Sequence, residues 1–148
     1  MRYLAIIACM AACGTSVDPA GLPSIEGYTG WYREKDKTDE VPGHGNSIRT
    51  IYVNDIGVGH LGGKYQIGTV FVKEVWNRDG DNKTDLRYLG VMRKVGDDAD
   101  VNAPVDGGWV FTELSEAGAS EKSRESCWAT CHKQAPYDGA WYDHPTPQ

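Results

Sequence analysis

A chain of 148 residues is long enough for one domain with a hydrophobic core and too short for two. Its formal net charge of −6, with no cluster of lysine or arginine, argues against nucleic acid as a partner. No apolar run reaches the length of a membrane span, and the 18 glycines indicate many loops and tight turns.

The N-terminus has the pattern of an export signal. Arg2 supplies a positive charge, residues 3–12 are mostly apolar, and small residues precede Cys13. This pattern resembles a bacterial lipoprotein processing site, at which Cys13 would become the lipid-bearing first residue; ordinary signal cleavage nearby is the alternative. We predict a signal peptide with a lipobox over residues 1–13, a flexible tether over 14–23 and one domain over 24–148. The protein is then exported to the periplasm and lipid-anchored to the membrane.

The domain is predicted to be α+β, with an antiparallel sheet and a few short helices. Spacing of apolar residues predicts an amphipathic helix within residues 24–33. Leu114 to Ser126 is predicted to be a loop that enters a short helix. Loops rich in Gly, Asn and Asp, including one over 77–83, separate the strand-like runs and contain no helical pattern, which favours antiparallel pairing. Four runs rich in β-branched and aromatic residues predict the strands 47–54, 69–76, 86–95 and 109–114.

Two cations fall on strand faces that are otherwise apolar. Alternation places Arg49 with Ile51 and Val53, and Lys73 with Phe71. Burial of a lone charge is costly unless another group pairs with it, so one possibility is that these faces are exposed to solvent. The other is a pocket facing a cofactor, in which Arg49 would orient polar ligands. A lysine with a lowered pKa could there act as a base or nucleophile.

The C-terminal region contains a motif typical of covalent haem attachment. Cys127, Cys131 and His132 follow the pattern C-x-x-x-C-H, which has one residue more than the usual C-x-x-C-H. Two thiols can form thioethers with the haem vinyl groups, and the adjacent imidazole can ligate the iron. A short disulfide loop beside an ordinary histidine is the alternative, because disulfides persist in an exported protein.

Several of these runs together resemble the cytochrome P-460 family. The similarity extends from about Gly27 to Trp141, nearly the whole exported domain. The segments that carry it, in chain order, are residues 48–53, 68–74, 88–91, 127–132 and 138–141.

The resemblance implies an antiparallel sheet with a few helices around one covalently bound haem c, usually in a homodimer. It also implies roles for individual residues. Cys127 and Cys131 would anchor the haem, and His132 would be the proximal iron ligand. Lys73 matches a lysine that enzyme-type members link covalently to the porphyrin edge, and Arg49 matches an arginine of the distal pocket.

The family contains enzymes that oxidise hydroxylamine, and relatives, the cytochromes c-prime-beta, that bind nitric oxide. Lys73 favours the enzyme-like branch. Met92, however, occupies the position of a distal carboxylate that would act as a general base. We predict an exported mono-haem c protein that performs redox chemistry on hydroxylamine or nitric oxide at a five-coordinate iron. Its electrons would pass to a partner cytochrome.

Other functions stay open at this point. The missing carboxylate favours a nitric-oxide scavenger or sensor without turnover. A simple electron-transfer cytochrome would need Met92 as a sixth ligand, and a disulfide-stapled lipoprotein would have no cofactor. His44 and His60 lie in glycine-rich loops that could approach the distal side, whereas His144, near the C-terminus, is predicted to have no role.

Overall fold

A computed structural model describes residues 21–58, 63–97, 107–124 and 126–144. The predicted signal peptide, Cys13, the first part of the tether and His60 lie outside these ranges. Within the described ranges, no helix has the length and apolarity needed to cross a membrane.

The described residues form one antiparallel sheet of six strands, as the sequence predicts, with two short α-helices. Each strand pairs with its neighbours in chain order, so the sheet is a simple meander. Helix α1 (Asp55–Val58) follows the second strand, and α2 (Ser126–Thr130) follows the last. The strands are β1 (Tyr32–Arg33), β2 (Ser47–Val53), β3 (Val70–Asp79), β4 (Asn82–Lys94), β5 (Trp109–Leu114) and β6 (Lys122–Ser123).

Strands β3 and β4 form a long hairpin, so the prediction of a loop over 77–83 is wrong. Asp79 pairs with Asn82, which leaves a two-residue turn of Gly80 and Asp81. Gly80 has a φ of 57°, a conformation that favours glycine and matches the twist of a tight hairpin. The polar residues here lie on strands that extend beyond the apolar core.

The predicted helix within residues 24–33 is also wrong. The segment contains a 3₁₀ turn (Tyr28–Gly30) followed by β1. Gly27, just before the turn, has a φ of 70°, which regular helix does not allow. Tyr28 is buried and its hydroxyl donates to Glu74 Oε1 at 3.0 Å, so the apolar residues of the segment pack on the sheet without forming a helix.

The sheet is covered on both faces. We call the side that packs against α2 and the C-terminal segment the motif face, and the other side the back face. Cross-strand rows of apolar residues line each face, which is why all seven residues of β2 are buried. The motif-face core consists of Ile51, Val53, Val58, Tyr65, Phe71, Trp109, Phe111 and Ala140. The back-face core consists of Tyr28, Tyr52, Val70, Val72, Leu89, Val91 and Leu114.

A buried ion pair lies on the back face. The guanidinium of Arg93 donates to both carboxylate oxygens of Glu121 at 2.7 Å, and to the carbonyl of Pro23 at 2.8 Å. Burial would raise the pKa of Glu121, but the hydrogen bonds from Arg93 and Thr112 outweigh it and lower that pKa. The groups are mutually satisfied, and they tie the N-terminal segment and the loop after β5 to the sheet.

Gly57 lies where α1 packs against the sheet, and a substitution at this position tests that packing. A Cβ at this position would lie 2.6 Å from Cγ1 of Val53 and 2.8 Å from Cγ2 of Thr69. We expect Gly57→Ala to lower the free energy of unfolding by ~1–3 kcal/mol because of overpacking. Gly30→Ala is the matched control, since no atom lies within 4 Å of its Cβ. Urea unfolding of both variants measures the difference, and equal stabilities would contradict this packing.

Candidate functional site

Three predicted site residues lie on neighbouring strands and on the same face of the sheet. Directly opposed residues of antiparallel strands share a face, and the register pairs Lys73 with Ile51 and with Gly90. Arg49 lies two residues from Ile51, and Met92 two residues from Gly90, so both belong to this face. The motif face therefore carries Arg49 on β2, Lys73 on β3 and Met92 on β4.

The amine of Lys73 is held by a histidine. Lys73 Nζ lies 2.7 Å from His44 Nε2, and His44 Nδ1 lies 2.7 Å from the hydroxyl of Tyr88. Burial lowers the pKa of Lys73 to about 8, although the nearby Cys127 opposes that shift. Burial and the charges of Lys73 and Arg49 lower the pKa of His44 to about 3, so its imidazole is neutral at pH 7.

Arg49 is almost fully buried, with 3% of its side chain exposed, and is only partly satisfied. Its Nη2 donates to the carbonyl and to Oδ1 of Asp39, both at 2.8 Å. Its Nη1 is buried without a hydrogen-bond partner among the residues that the structure describes. An unpaired buried donor is expensive, so this atom is suited to a polar or anionic group of a ligand.

Helix α2 and the residues after it show how the extra residue of the motif fits. The amide of Cys131 donates to the carbonyl of Cys127 at 3.2 Å, which closes one helical turn between the two cysteines. Cys131 then leaves helical geometry (φ −134°, ψ −52°), and His132 begins a separate 3₁₀ turn. Both thiols are free and partly buried, so no disulfide joins them.

His132 has its ring orientation and tautomer set by the backbone. Its Nδ1 lies 2.7 Å from the carbonyl of Gly139, which can only accept, so Nδ1 carries the hydrogen. Burial lowers the pKa of His132 to about 4, and the bond to Gly139 only partly opposes this. The ring is therefore neutral at pH 7, and among the described residues no group hydrogen-bonds its Nε2. A metal-ligating histidine typically has this arrangement.

The Gly139 carbonyl is held in place by a buried ion pair. Lys94 Nζ lies 3.0 Å from Oδ2 of Asp138, and the two side chains are 2% and 7% exposed. Asp138 also accepts from the amide of Tyr65 at 3.0 Å, and its carbonyl accepts from Trp109 Nε1 at 2.7 Å. Asp138 has a φ of 48°, so the turn is tied to β4 and β5 in a conformation that few residues adopt.

Trp128, inside the motif, packs α2 against two glycines. A Cβ at Gly107 would lie 2.1 Å from the Trp128 ring, and one at Gly139 would lie 2.9 Å from it. The ring of Phe111 lies 6.4 Å from that of Trp128 and 4.9 Å from that of His132. The tryptophan thus fixes the motif helix on the aromatic rows of the sheet.

Sequence reasoning missed two residues of this face. Glu113 shares the cross-strand row of Lys73 and Gly90, and binds Arg124 through both carboxylate oxygens at 3.0 and 3.2 Å. Alternation with Phe111 along β5 could have revealed it. His144, for which no role was predicted, is 2% exposed, lies 2.9 Å from Glu34 Oε1 and packs against the Phe71 ring of the motif-face core.

Comparison with known proteins shows the family of this chain. The chain matches the Cytochrome P460 family over residues 25–140, most of its length. It therefore belongs to the cytochrome P460 family. A search of curated proteins finds no match to it. Membership implies haem c as the cofactor, with iron binding and a redox role.

The residues present fit a covalently attached haem c. Cys127 and Cys131 are free thiols one helical turn apart, and His132 has a neutral ring with Nε2 available. Arg49 contributes a buried donor that lacks a partner among the described residues. The aromatic rows of the motif face suit the apolar surface of a porphyrin.

The Lys94–Asp138 pair gives a test of how the motif segment is held. Asp138→Asn keeps a residue that tolerates positive φ but leaves Lys94 buried without its carboxylate. We expect the free energy of unfolding to fall by ~3–5 kcal/mol. Lys94→Met combined with Asp138→Asn should recover part of that loss, because no lone charge remains. Denaturant unfolding of the two single variants and the double variant measures the coupling, and additive losses would contradict it.

Proposed function

We propose that this chain is an exported mono-haem c protein that performs redox chemistry on hydroxylamine or nitric oxide. His132 is the observation that carries the proposal. Its Nδ1 is fixed by the Gly139 carbonyl, no described group hydrogen-bonds its Nε2, and it directly follows Cys131, which has a free thiol, in the chain. Family membership supports the same cofactor.

Each residue of the site has a role in this proposal. Cys127 and Cys131 would hold the haem as thioethers, and His132 would ligate the iron. When bound, the haem supplies one-electron redox chemistry and an open coordination position. Arg49, through Nη1, would bind a propionate or orient a polar substrate. Electrons would leave to a partner cytochrome.

Lys73 favours an enzyme over a passive binder. Its amine lies on the motif face, and its pKa of about 8 leaves a fraction of it neutral near pH 7, as a nucleophile requires. The family resemblance implies that this amine is linked to the porphyrin edge, and such a link would change the electronic structure of the haem. We expect this link in the mature protein.

Met92 favours the second candidate, a nitric-oxide scavenger or sensor without turnover. It is partly buried in the row of Phe71 and Phe111, and a thioether at that position cannot accept a proton at neutral pH. An electron-transfer cytochrome with Met92 as sixth ligand is a further candidate. The free thiols of Cys127 and Cys131 count against a disulfide-stapled protein.

Location and assembly belong to the same proposal. The pattern of residues 1–13 supports export to the periplasm, with Cys13 as a lipid-bearing residue. The family resemblance supports a homodimer. These features would place the redox site outside the cytoplasm, where haem is attached to cysteines of this kind.

Optical spectra and intact mass of the exported protein test the cofactor. We expect one haem that stays attached after denaturation, and that is lost when Cys127 and Cys131 are both replaced by Ala in a chain that also carries Lys73→Ala. A strongly red-shifted ferrous Soret band is expected from the Lys73 link. Lys73→Ala should keep the haem but remove the red shift. A colourless wild-type protein would refute the proposal, and a normal spectrum unaffected by Lys73→Ala would refute the link.

Hydroxylamine-dependent dye reduction tests the reaction. Met92→Glu places a carboxylate among the aromatic rows, and we expect activity to rise by about tenfold or more, because general bases contribute roughly 10²–10⁴-fold. Met92→Gln is the matched control, since it has the same shape without a base. If wild type is inactive and only Met92→Glu gains turnover, nitric-oxide binding is the better description. Equal effects of Glu and Gln would contradict a base at this position.

A further inference from the structure

We propose that Lys73, His44 and Tyr88 form a proton relay that leads from the Lys73 amine on the motif face to the partly exposed side chain of Tyr88. This inference rests on the proposed function. It assigns to His44 and Tyr88 the acid–base work that Met92 cannot do. His44 belongs to the loop before β2, and Tyr88 belongs to β4, so the relay joins residues that are distant in the chain.

Two short hydrogen bonds define the relay. The distances are 2.7 Å from Lys73 Nζ to His44 Nε2 and 2.7 Å from His44 Nδ1 to the Tyr88 oxygen. Both ring nitrogens of His44 are therefore engaged. An ordinary solvated loop histidine would not have this arrangement, and its partners on both sides are groups that exchange protons.

The donor directions follow from the chemistry of each group. A lysine ammonium only donates, so His44 Nε2 accepts from Lys73, and Nδ1 must then carry the hydrogen and donate to the Tyr88 oxygen. Transfer of one proton from Lys73 to Nε2 releases the Nδ1 proton to Tyr88, whose own hydroxyl proton passes to solvent, since Tyr88 is partly exposed. One proton enters at Lys73 and one leaves at Tyr88, and His44 ends as its other neutral tautomer.

The surroundings keep His44 neutral and fixed. Burial is the main cause of its lowered pKa, and Lys73, Arg49 and Arg87 add positive charge nearby. The ring can pass a proton on but does not hold a second one at neutral pH. Arg87 Nη1 donates to the His44 carbonyl at 3.0 Å, which fixes the loop. Burial raises the pKa of Tyr88, so its hydroxyl stays protonated.

The relay also tolerates the link expected at Lys73. A secondary amine keeps one N–H, which can still donate to His44 Nε2, and its lone pair can take up the incoming proton as that N–H proton is passed on. Gly90 lies beside both side chains, since an added Cβ there would make ordinary contacts at 3.4 Å with Lys73 Cε and at 4.0 Å with the Tyr88 ring. Glu113 lies beyond Gly90 in the same row but binds Arg124, so His44 is the uncharged acceptor beside the lysine.

Hydrogen exchange at the Lys73 amine tests the relay without any substrate. The haem-containing protein is labelled with ¹⁵N-lysine and studied in its ferrous carbonyl form, which is diamagnetic. We expect His44→Gln, whose amide can still accept from Lys73 but cannot relay, to slow Nζ exchange about tenfold or more. Tyr88→Phe should slow it similarly. Tyr28→Phe removes a buried tyrosine hydroxyl on the back face and should leave the rate unchanged.

The outcomes separate the relay from the proposed function. Wild-type exchange rates in both His44→Gln and Tyr88→Phe would overturn the relay, whatever the protein does with hydroxylamine. If exchange is slowed but hydroxylamine does not reduce the haem, the relay is retained and hydroxylamine oxidation is refuted. If hydroxylamine does reduce the haem, the relay further requires a smaller kcat with little change in KM in both variants. A solvent isotope effect on kcat is expected in wild type.

Discussion

The buried ion pair of Lys94 and Asp138 is the interaction on which the site depends. It joins β4 to the turn after the motif, and through that turn it fixes the Gly139 carbonyl that orients His132. Two charges that are 2% and 7% exposed are unfavourable unless they meet with good geometry, and the remaining hydrogen bonds of Asp138 provide it. The position of the candidate iron ligand is thus set by a contact between the sheet and a backbone turn.

The rest of the motif face follows from strand alternation. Because β2, β3 and β4 pair in register, three side chains chosen from the sequence meet on the same side of the sheet. Among the described residues, that side also holds Nη1 of Arg49, a buried donor without a hydrogen-bond partner. The back face holds a satisfied ion pair and an apolar core, which suit a structural role. The back face thus stabilises the fold, whereas the motif face also carries the candidate site.

Much of this could be predicted from the sequence, and the failures have physical reasons. Runs rich in β-branched and aromatic residues identified four strands, and alternation placed Arg49 and Lys73 on strand faces that are otherwise apolar. The helix predicted within residues 24–33 failed because Gly27 takes positive φ and Tyr28 packs on the sheet. The partnership of His44 with Lys73 could not be predicted, because 29 residues separate them and only the fold joins a loop to a strand. The turn at Asp138 could not be predicted for the same reason, because it depends on the tertiary contact with Lys94.

The meander order of the strands has a consequence for how the protein matures. Every strand pairs with its neighbour in the chain, so the sheet can form from local contacts as the chain emerges. The two thiols and His132 follow the last strand and contribute no residue to the ladder. The sheet can therefore be complete while this terminal segment is still accessible. If haem is attached as proposed, docking of Trp128 between its glycines would then close the domain after that covalent step.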